Sequence, residues 1–251
     1  MKTRMSTLIA GVAIAGAVAF SSAAVVTAVA PLIPGGPAGR GVCAAQFTAL
    51  KAPVTVDALR AFGDCEIQRR FATLATRVSD SKALTNSDAA ALTAEIGATK
   101  TGLTGLKATI DAETSIPDLK ADVVKIATDY RVYLLVGPQV NLVSGADRVV
   151  ASQTVFTKID TNLAARIAAA KAANKDTTTA QIDLVAMNAA VTQAVGLATP
   201  LPATLLPLTP AQYNAGTAGP VLNSARTALV QARDQLKSAV QDAKACRAAL
   251  A

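Results

Sequence analysis

A chain of 251 residues carrying 24 basic and 17 acidic side chains is long enough to bury a real core, yet only 3% of it is aromatic and it has no tryptophan. With half of its residues apolar, chiefly Ala, Val and Leu, it is too hydrophobic for disorder and better suited to slender, closely packed helices than to a β-sandwich. The absence of histidine excludes Ser-His-Asp and Cys-His catalysis and histidine metal sites, and three cysteines are too few for a four-cysteine zinc site or a disulfide framework.

Lys2 and Arg4 precede an apolar run from Leu8 to Phe20, followed by the small residues Ser21, Ser22, Ala23 and Ala24. That order is the pattern of a secretory signal peptide over residues 1–24, with cleavage after Ala24 or as late as Ala30. An uncleaved amino-terminal membrane anchor is the alternative, because weakly apolar residues continue to Ala30. Loss of Lys2 and Arg4 leaves 22 basic against 17 acidic residues. Residues 25–53 read as a Pro/Gly-rich tether and short segment, with Gly35, Gly36, Pro37 and Gly39 at its centre.

From about Val54 the period is helical. Leu59, Phe62, Ile67, Phe71, Leu74 and Val78 form one stripe. Thr85 with Asp88 resembles a capping box and opens a helix whose Leu92, Ile96, Thr99, Leu103, Leu106 and Ile110 make a heptad seam. Ser115 with Asp118 repeats the arrangement ahead of Ile116, Leu119, Val123, Ile126, Tyr130 and Tyr133. Gly137-Pro138 is expected to kink that segment, because proline lacks an amide and crowds the preceding turn.

Beyond the kink the pattern resumes through Val149, Phe156, Ile159, Leu163 and Ile167 to about Ala173. A turn at 174–177 precedes a helix capped by Thr178 and Gln181 that runs to about Leu197. Residues 199–210, with Pro200, Pro202, Pro207 and Pro210, read as a stiff connector, and Thr209-Pro210 with Gln212 as a short helical turn. The last helix, from about Pro220 to Leu250, has one seam of Leu222, Leu229, Leu236, Ala243 and Leu250. Its other seam holds Ala225, Ala232, Ala239 and Cys246. Large and small residues alternating in this way let helices approach closely.

The expected fold is therefore all-α: antiparallel bundles, one over 54–136 and one over 139–251. Each would have three helices, and a long helix kinked at Gly137-Pro138 would be shared between them. A full reversal at that dipeptide would instead give one thicker bundle. Cys43 and Cys65 are the local disulfide candidate, whereas a Cys65–Cys246 bridge would require the thicker bundle. Cys246, at an alanine-like seam position, is either a small core filler or a link between molecules.

Motifs that suggest chemistry do not hold up. Gly97 to Gly102 has the glycine spacing of a phosphate loop but Leu103 where lysine is needed, and it falls inside a helix. Cys43 lacks the context of a lipidated cysteine, and Leu201 to Leu205 resembles a sortase signal with Leu205 in place of the glycine. Tyr130, Tyr133, Asn141 and Arg148 could line a groove at the kink. Arg226, Arg233, Lys237, Lys244 and Arg247 could form a basic face, although aspartates at 234 and 242 dilute it.

Three stretches carry a resemblance: Asp129 to Gln139, Ala146-Asp147-Arg148, and Leu208 to Asn214. They resemble segments of a group of bacterial secreted, alanine-rich helical proteins with no assigned activity. The resemblance implies export and a helical fold, and it transfers no site residue.

The functional expectation is an exported, non-catalytic helical protein of the envelope or extracellular space, acting as a spacer or interaction module without a cofactor. Its partners would be an envelope polymer, an anionic lipid surface or another protein, and not nucleic acid. Self-association through helix seams or Cys246 is a further expectation. A membrane-active helical protein and a carboxylate-dependent hydrolase are the alternatives.

Overall fold

The computed structural model describes residues 41–51, 53–77 and 84–250. The segment expected to be an export signal, its expected cleavage sites, most of the expected tether and Val78 lie outside these residues. Among the described residues every regular element is helical, so the chain is all-α.

Inside the stretch read as tether and short segment, Ala44–Ala49 forms a helix, α1. It lies on α2, Val56–Arg77, through the tilted ring pair Phe47–Phe62, with centroids 6.2 Å apart. Leu59, Phe62, Ile67 and Leu74 of α2 are buried as their spacing predicts, and Phe71 is half-buried.

Helix α3, Asn86–Ala112, begins at Thr85, whose hydroxyl accepts the Asp88 N–H at 3.3 Å. The other half of the expected capping box comes from outside the helix: the Thr85 N–H donates to the Asp147 carboxylate, 62 residues on, at 2.7 Å. Leu92, Ile96, Leu103, Leu106 and Ile110 are buried, which is the α3 seam. Helix α4, Ile116–Thr128, does not use the predicted cap, since Ser115 makes no side-chain capping bond. Glu113 instead orders the entry to the helix, accepting the Thr114 and Ser115 N–H groups at 2.7 and 2.6 Å.

The expected kink at Gly137-Pro138 is not where the chain breaks. Helix α4 ends at Thr128, and Arg131 takes a left-handed backbone conformation with φ 41°. A π turn over Val132–Val136 follows and leads directly into α5, Gly137–Ala172. The Gly137 N–H reaches the Val132 carbonyl across this wider turn. Pro138 then sits in the first turn of α5, where an absent amide costs little. The proline thus starts a helix instead of bending one.

Helices α2, α3 and α4 pack on one another, and so do α5, α6 (Thr178–Ala198) and α9 (Ala218–Ala249). The first three turns of α5 meet both sets. Gly137, Gln139, Val140, Leu142 to Asp147 and Val149 are all buried, so this stretch keeps only a narrow solvent edge at Asn141 and Arg148. Beyond it only Phe156, Leu163 and Ile167 are buried, an ordinary amphipathic spacing.

A Schellman motif closes α5. Asn174, at φ 55°, donates its N–H to the Lys171 carbonyl, and Lys175 donates to that of Ala170, both at 3.0 Å. Because a left-handed backbone costs a Cβ-bearing residue energy that glycine escapes, Asn174→Gly is expected to stabilise the chain by about 1 kcal/mol. The measurement is the urea midpoint, and an unchanged or lower midpoint would contradict the assignment.

The next helix starts one residue earlier than expected, with Thr177 as its N-cap, and Asp176 accepts the Thr178 N–H at 2.9 Å. The 199–210 connector is partly helical: α7, Leu201–Leu205, takes Pro202 into its first turn. The turn at Thr209 forms α8, Pro210–Asn214, with both bonds of a Thr209–Gln212 capping box. On α9 the Leu222, Leu229 and Leu236 seam and the Ala225, Ala232, Ala239 and Cys246 seam are buried, with Ala243 and Leu250 half-buried. They meet Ala180, Ala190, Ala194 and Ala198 of α6, small residues that permit the most extensive helix pairing in the fold.

Candidate functional site

Two of the stretches that carried the resemblance, Asp129 to Gln139 and Leu208 to Asn214, are far apart in sequence but meet around the π turn, whereas Asp147 of the third lies at the start of α3. The Arg131 guanidinium donates to the Asn214 amide oxygen at 2.7 Å and lies over the Tyr213 ring at 5.3 Å. Asn214 in turn donates to the Thr128 carbonyl at 2.9 Å, satisfying an acceptor at the end of α4. Helix α8 therefore clasps the break and holds Arg131 in a backbone state that costs a non-glycine residue about 1–2 kcal/mol. Gln139, fully buried, donates its amide to the Leu205 and Leu208 carbonyls at 2.9 and 3.1 Å, tying α5 to the segment between α7 and α8.

The four positions proposed as a groove have different surroundings. Tyr130 lies against Gly102 of α3, so closely that a Cβ there would stand 2.5 Å from the ring. Glycine in the former phosphate-loop match is thus a seat for this tyrosine. Burial raises the Tyr130 hydroxyl pKa, and Asp129 adds to the effect. Tyr133 turns to α2, where Arg69 and Arg70 lie 4.8 and 5.1 Å from its ring centroid. Asn141 and Arg148 are exposed.

Sequence reasoning missed the ion cluster beside Tyr133. Glu66 accepts from Arg69 at 2.7 Å and from Arg70, and the Arg70 side chain is only 3% exposed. Arg70 also donates to the Glu66 carbonyl at 3.0 Å. The Arg69 and Arg70 Nε atoms and the Tyr133 hydroxyl are buried without a hydrogen-bond partner. The missed signal was positional: Glu66 and Arg70 continue the Leu59, Gly63, Leu74 spacing of the buried face, where only apolar residues had been counted.

Asp147, within the second stretch of the resemblance, is buried at the start of α3. Burial raises its pKa, the Thr85 N–H opposes the rise, and the neighbouring Asp88 carboxylate adds to it. Glu95, also on α3, is pushed by burial to about 7. For a carboxyl raised in the folded state, the native chain binds more protons than the unfolded one between the two pKa values. The contribution is then full below about 4.5 and lost as pH rises through about 7. Glu95→Gln is expected to raise stability at pH 8 by an amount on the order of 1 kcal/mol, after allowance for partial exposure, and to leave it unchanged at pH 4. Equal effects at both pH values in thermal melts would contradict this origin.

Cys43 and Cys65 form a disulfide with Cα atoms 5.9 Å apart, fastening α1 to α2. Cys246 is a free thiol, fully buried, with its pKa raised by burial and by Asp183 and lowered by Arg166. It fills the α9 seam, so a link between molecules through it would require the helix to open. Of the basic-face residues, Lys237, Lys244 and Arg247 are exposed and Arg226 and Arg233 half-buried, and Lys237 pairs with Asp234 at 2.7 Å. Residues Thr178–Leu205 are long and apolar enough to cross a membrane, although part of that stretch packs inside the helical assembly. Among the described residues no group of three or more Asp, Glu or Cys side chains is placed to hold a metal ion. Searches of family models, curated proteins and solved structures returned no match to this chain.

Proposed function

We propose that the chain is an exported, non-catalytic helical protein of the cell envelope or extracellular space that works as a spacer or interaction module. The observation that carries this reading is the Cys43–Cys65 disulfide, because such bonds persist in oxidising compartments and are rare in the cytosol. It agrees with the charged, apolar, small-residue order of residues 1–24. The use made of the buried polar groups also supports it. Asp147 caps α3, Gln139 binds two carbonyls, and Glu66 neutralises arginine charge. Each of these groups has an architectural task.

Cell fractionation combined with intact mass tests the reading. The expected result is an extracytoplasmic chain that has lost residues 1–24, or up to Ala30, and carries one disulfide. A cytoplasmic pool with Met1 retained and all three thiols reduced would overturn it.

A further inference from the structure

Beyond residue 40 the surplus positive charge falls in one part of the chain. Residues 41–136 hold eleven acidic and eleven basic side chains, whereas 137–251 hold six acidic and ten basic. Within that second part, the surplus lies along the junction of α5 and α9. Arg226, Arg233, Lys237, Lys244 and Arg247 follow one line of α9 at steps of seven, four, seven and three residues. Arg233 marks which flank this is, since its guanidinium lies 3.9 Å from where a Cβ on Gly145 of α5 would stand.

On α5 the line through Gly145, spaced by threes and fours, contains Arg148 and Arg166. Arg166 is close enough to Cys246 to lower its pKa, which places this line beside α9. Two basic rows therefore run side by side. Their acidic neighbours are engaged elsewhere: Asp160 accepts from Asn188 of α6 at 2.6 Å, and Asp147 caps α3. Asp242 is half-buried and off the line, and Asp183 of α6 faces Cys246 together with Arg166, so on the α9 row only Asp234, paired with Lys237, stands at the edge.

Exposed valines sit between the cations. Val155 on the α5 line is 46% exposed, and Val230 and Val240 on the α9 line are 45% and 43% exposed. The two rows carry no exposed aromatic ring. A hydrated polyanion would gain from the charges but not from the valines, and a single-stranded nucleic acid would want stacking rings. A bilayer interface uses both features, with anionic headgroups against the cations and shallow apolar contact with the valines.

We infer that the α5–α9 face docks on an anionic phospholipid surface. This deepens the reading of the chain as an exported interaction module and rests on it. Each basic residue brought to such a surface is worth about five-fold in partitioning, so one face of seven cations can hold the protein reversibly without a membrane span.

The test is co-sedimentation of the chain as recovered from cells with phosphatidylcholine vesicles, with and without phosphatidylglycerol, over a range of salt. Wild type is expected to bind only the vesicles containing phosphatidylglycerol and to release as salt rises. The variant carrying Lys237→Glu, Lys244→Glu and Arg247→Glu should lose at least about 100-fold in partitioning. Reversing the exposed Lys51 and Lys120 of the other half should leave partitioning unchanged. Val230→Ser with Val240→Ser, which keeps every charge, should weaken binding several-fold, and this second variant keeps the test valid if the triple variant misfolds. Binding indifferent to lipid charge, or a well-folded triple variant that binds like wild type, would overturn the inference. Equal binding by the valine variant together with tighter retention on polyphosphate would overturn it in favour of a polymer. Export is read separately by fractionation, so a cytoplasmic chain and a face that ignores lipid are distinguishable failures.

Discussion

Glu66→Ala is expected to destabilise the protein by about 3–5 kcal/mol, seen as a lower urea midpoint with an unchanged slope. The carboxylate is the anion that Arg69 and Arg70 share, and Arg70 is almost wholly enclosed. Removing one partner of a buried ion pair leaves an uncompensated charge in a low-dielectric setting, which costs more than the pair itself contributes. Contact with the Tyr133 ring relieves the arginines only in part, since a cation over an aromatic face is worth about 0.5–2 kcal/mol. Removing both charges, in Glu66→Ala with Arg70→Met, should recover much of the loss. If Glu66→Ala costs less than about 1 kcal/mol, the arginines have another route to solvent and the cluster is not sealed.

Gln139→Leu is the second large effect, with an expected loss of about 2–4 kcal/mol. Leucine fills similar volume but takes the amide donor away from the Leu208 carbonyl and leaves the Leu205 carbonyl only the Leu208 N–H at 3.2 Å, and Gln139 has no exposure through which water could replace it. The Gln139 Oε1 atom is already buried without a partner, so the residue is kept at a cost that its two donated bonds must outweigh. Hydrogen exchange should show faster opening across 201–214 than across α3 in this variant. A loss under about 0.5 kcal/mol would mean that those carbonyls are satisfied some other way.

The apolar face of each long helix was legible because helix geometry fixes it. Leu92, Ile96, Leu103, Leu106 and Ile110 fall at steps of three, four or seven, Leu222, Leu229 and Leu236 at steps of seven, and all are buried. The same rule cannot see polar groups in a core. Glu66 and Arg70 sit at buried positions of α2 and were passed over, because one is neutralised by the other only once the helix has formed. Capping was legible in full at Thr209, where both partners are local, and in part at Thr85, whose hydroxyl takes the expected Asp88 N–H while the second partner, Asp147, arrives from another helix.

The break at Arg131 shows the remaining limit. Sequence singles out Pro138 because its missing amide is a local fact. The left-handed Arg131, by contrast, is maintained by Asn214 and Tyr213, more than eighty residues away. The disulfide candidate was legible from proximity in sequence alone, whereas the flank shared by α5 and α9 emerges only once Arg233 is seen beside Gly145.

The proposed function requires a helical chain that matures outside the cytoplasm with α1 stapled to α2. Peptide mapping without reduction, on protein recovered from the extracytoplasmic fraction, tests this most directly. The predicted result is a linked pair of peptides containing Cys43 and Cys65, with Cys246 alkylated only after unfolding. A bridge from Cys246 to either of the others, or three thiols that react in the native state, would contradict it.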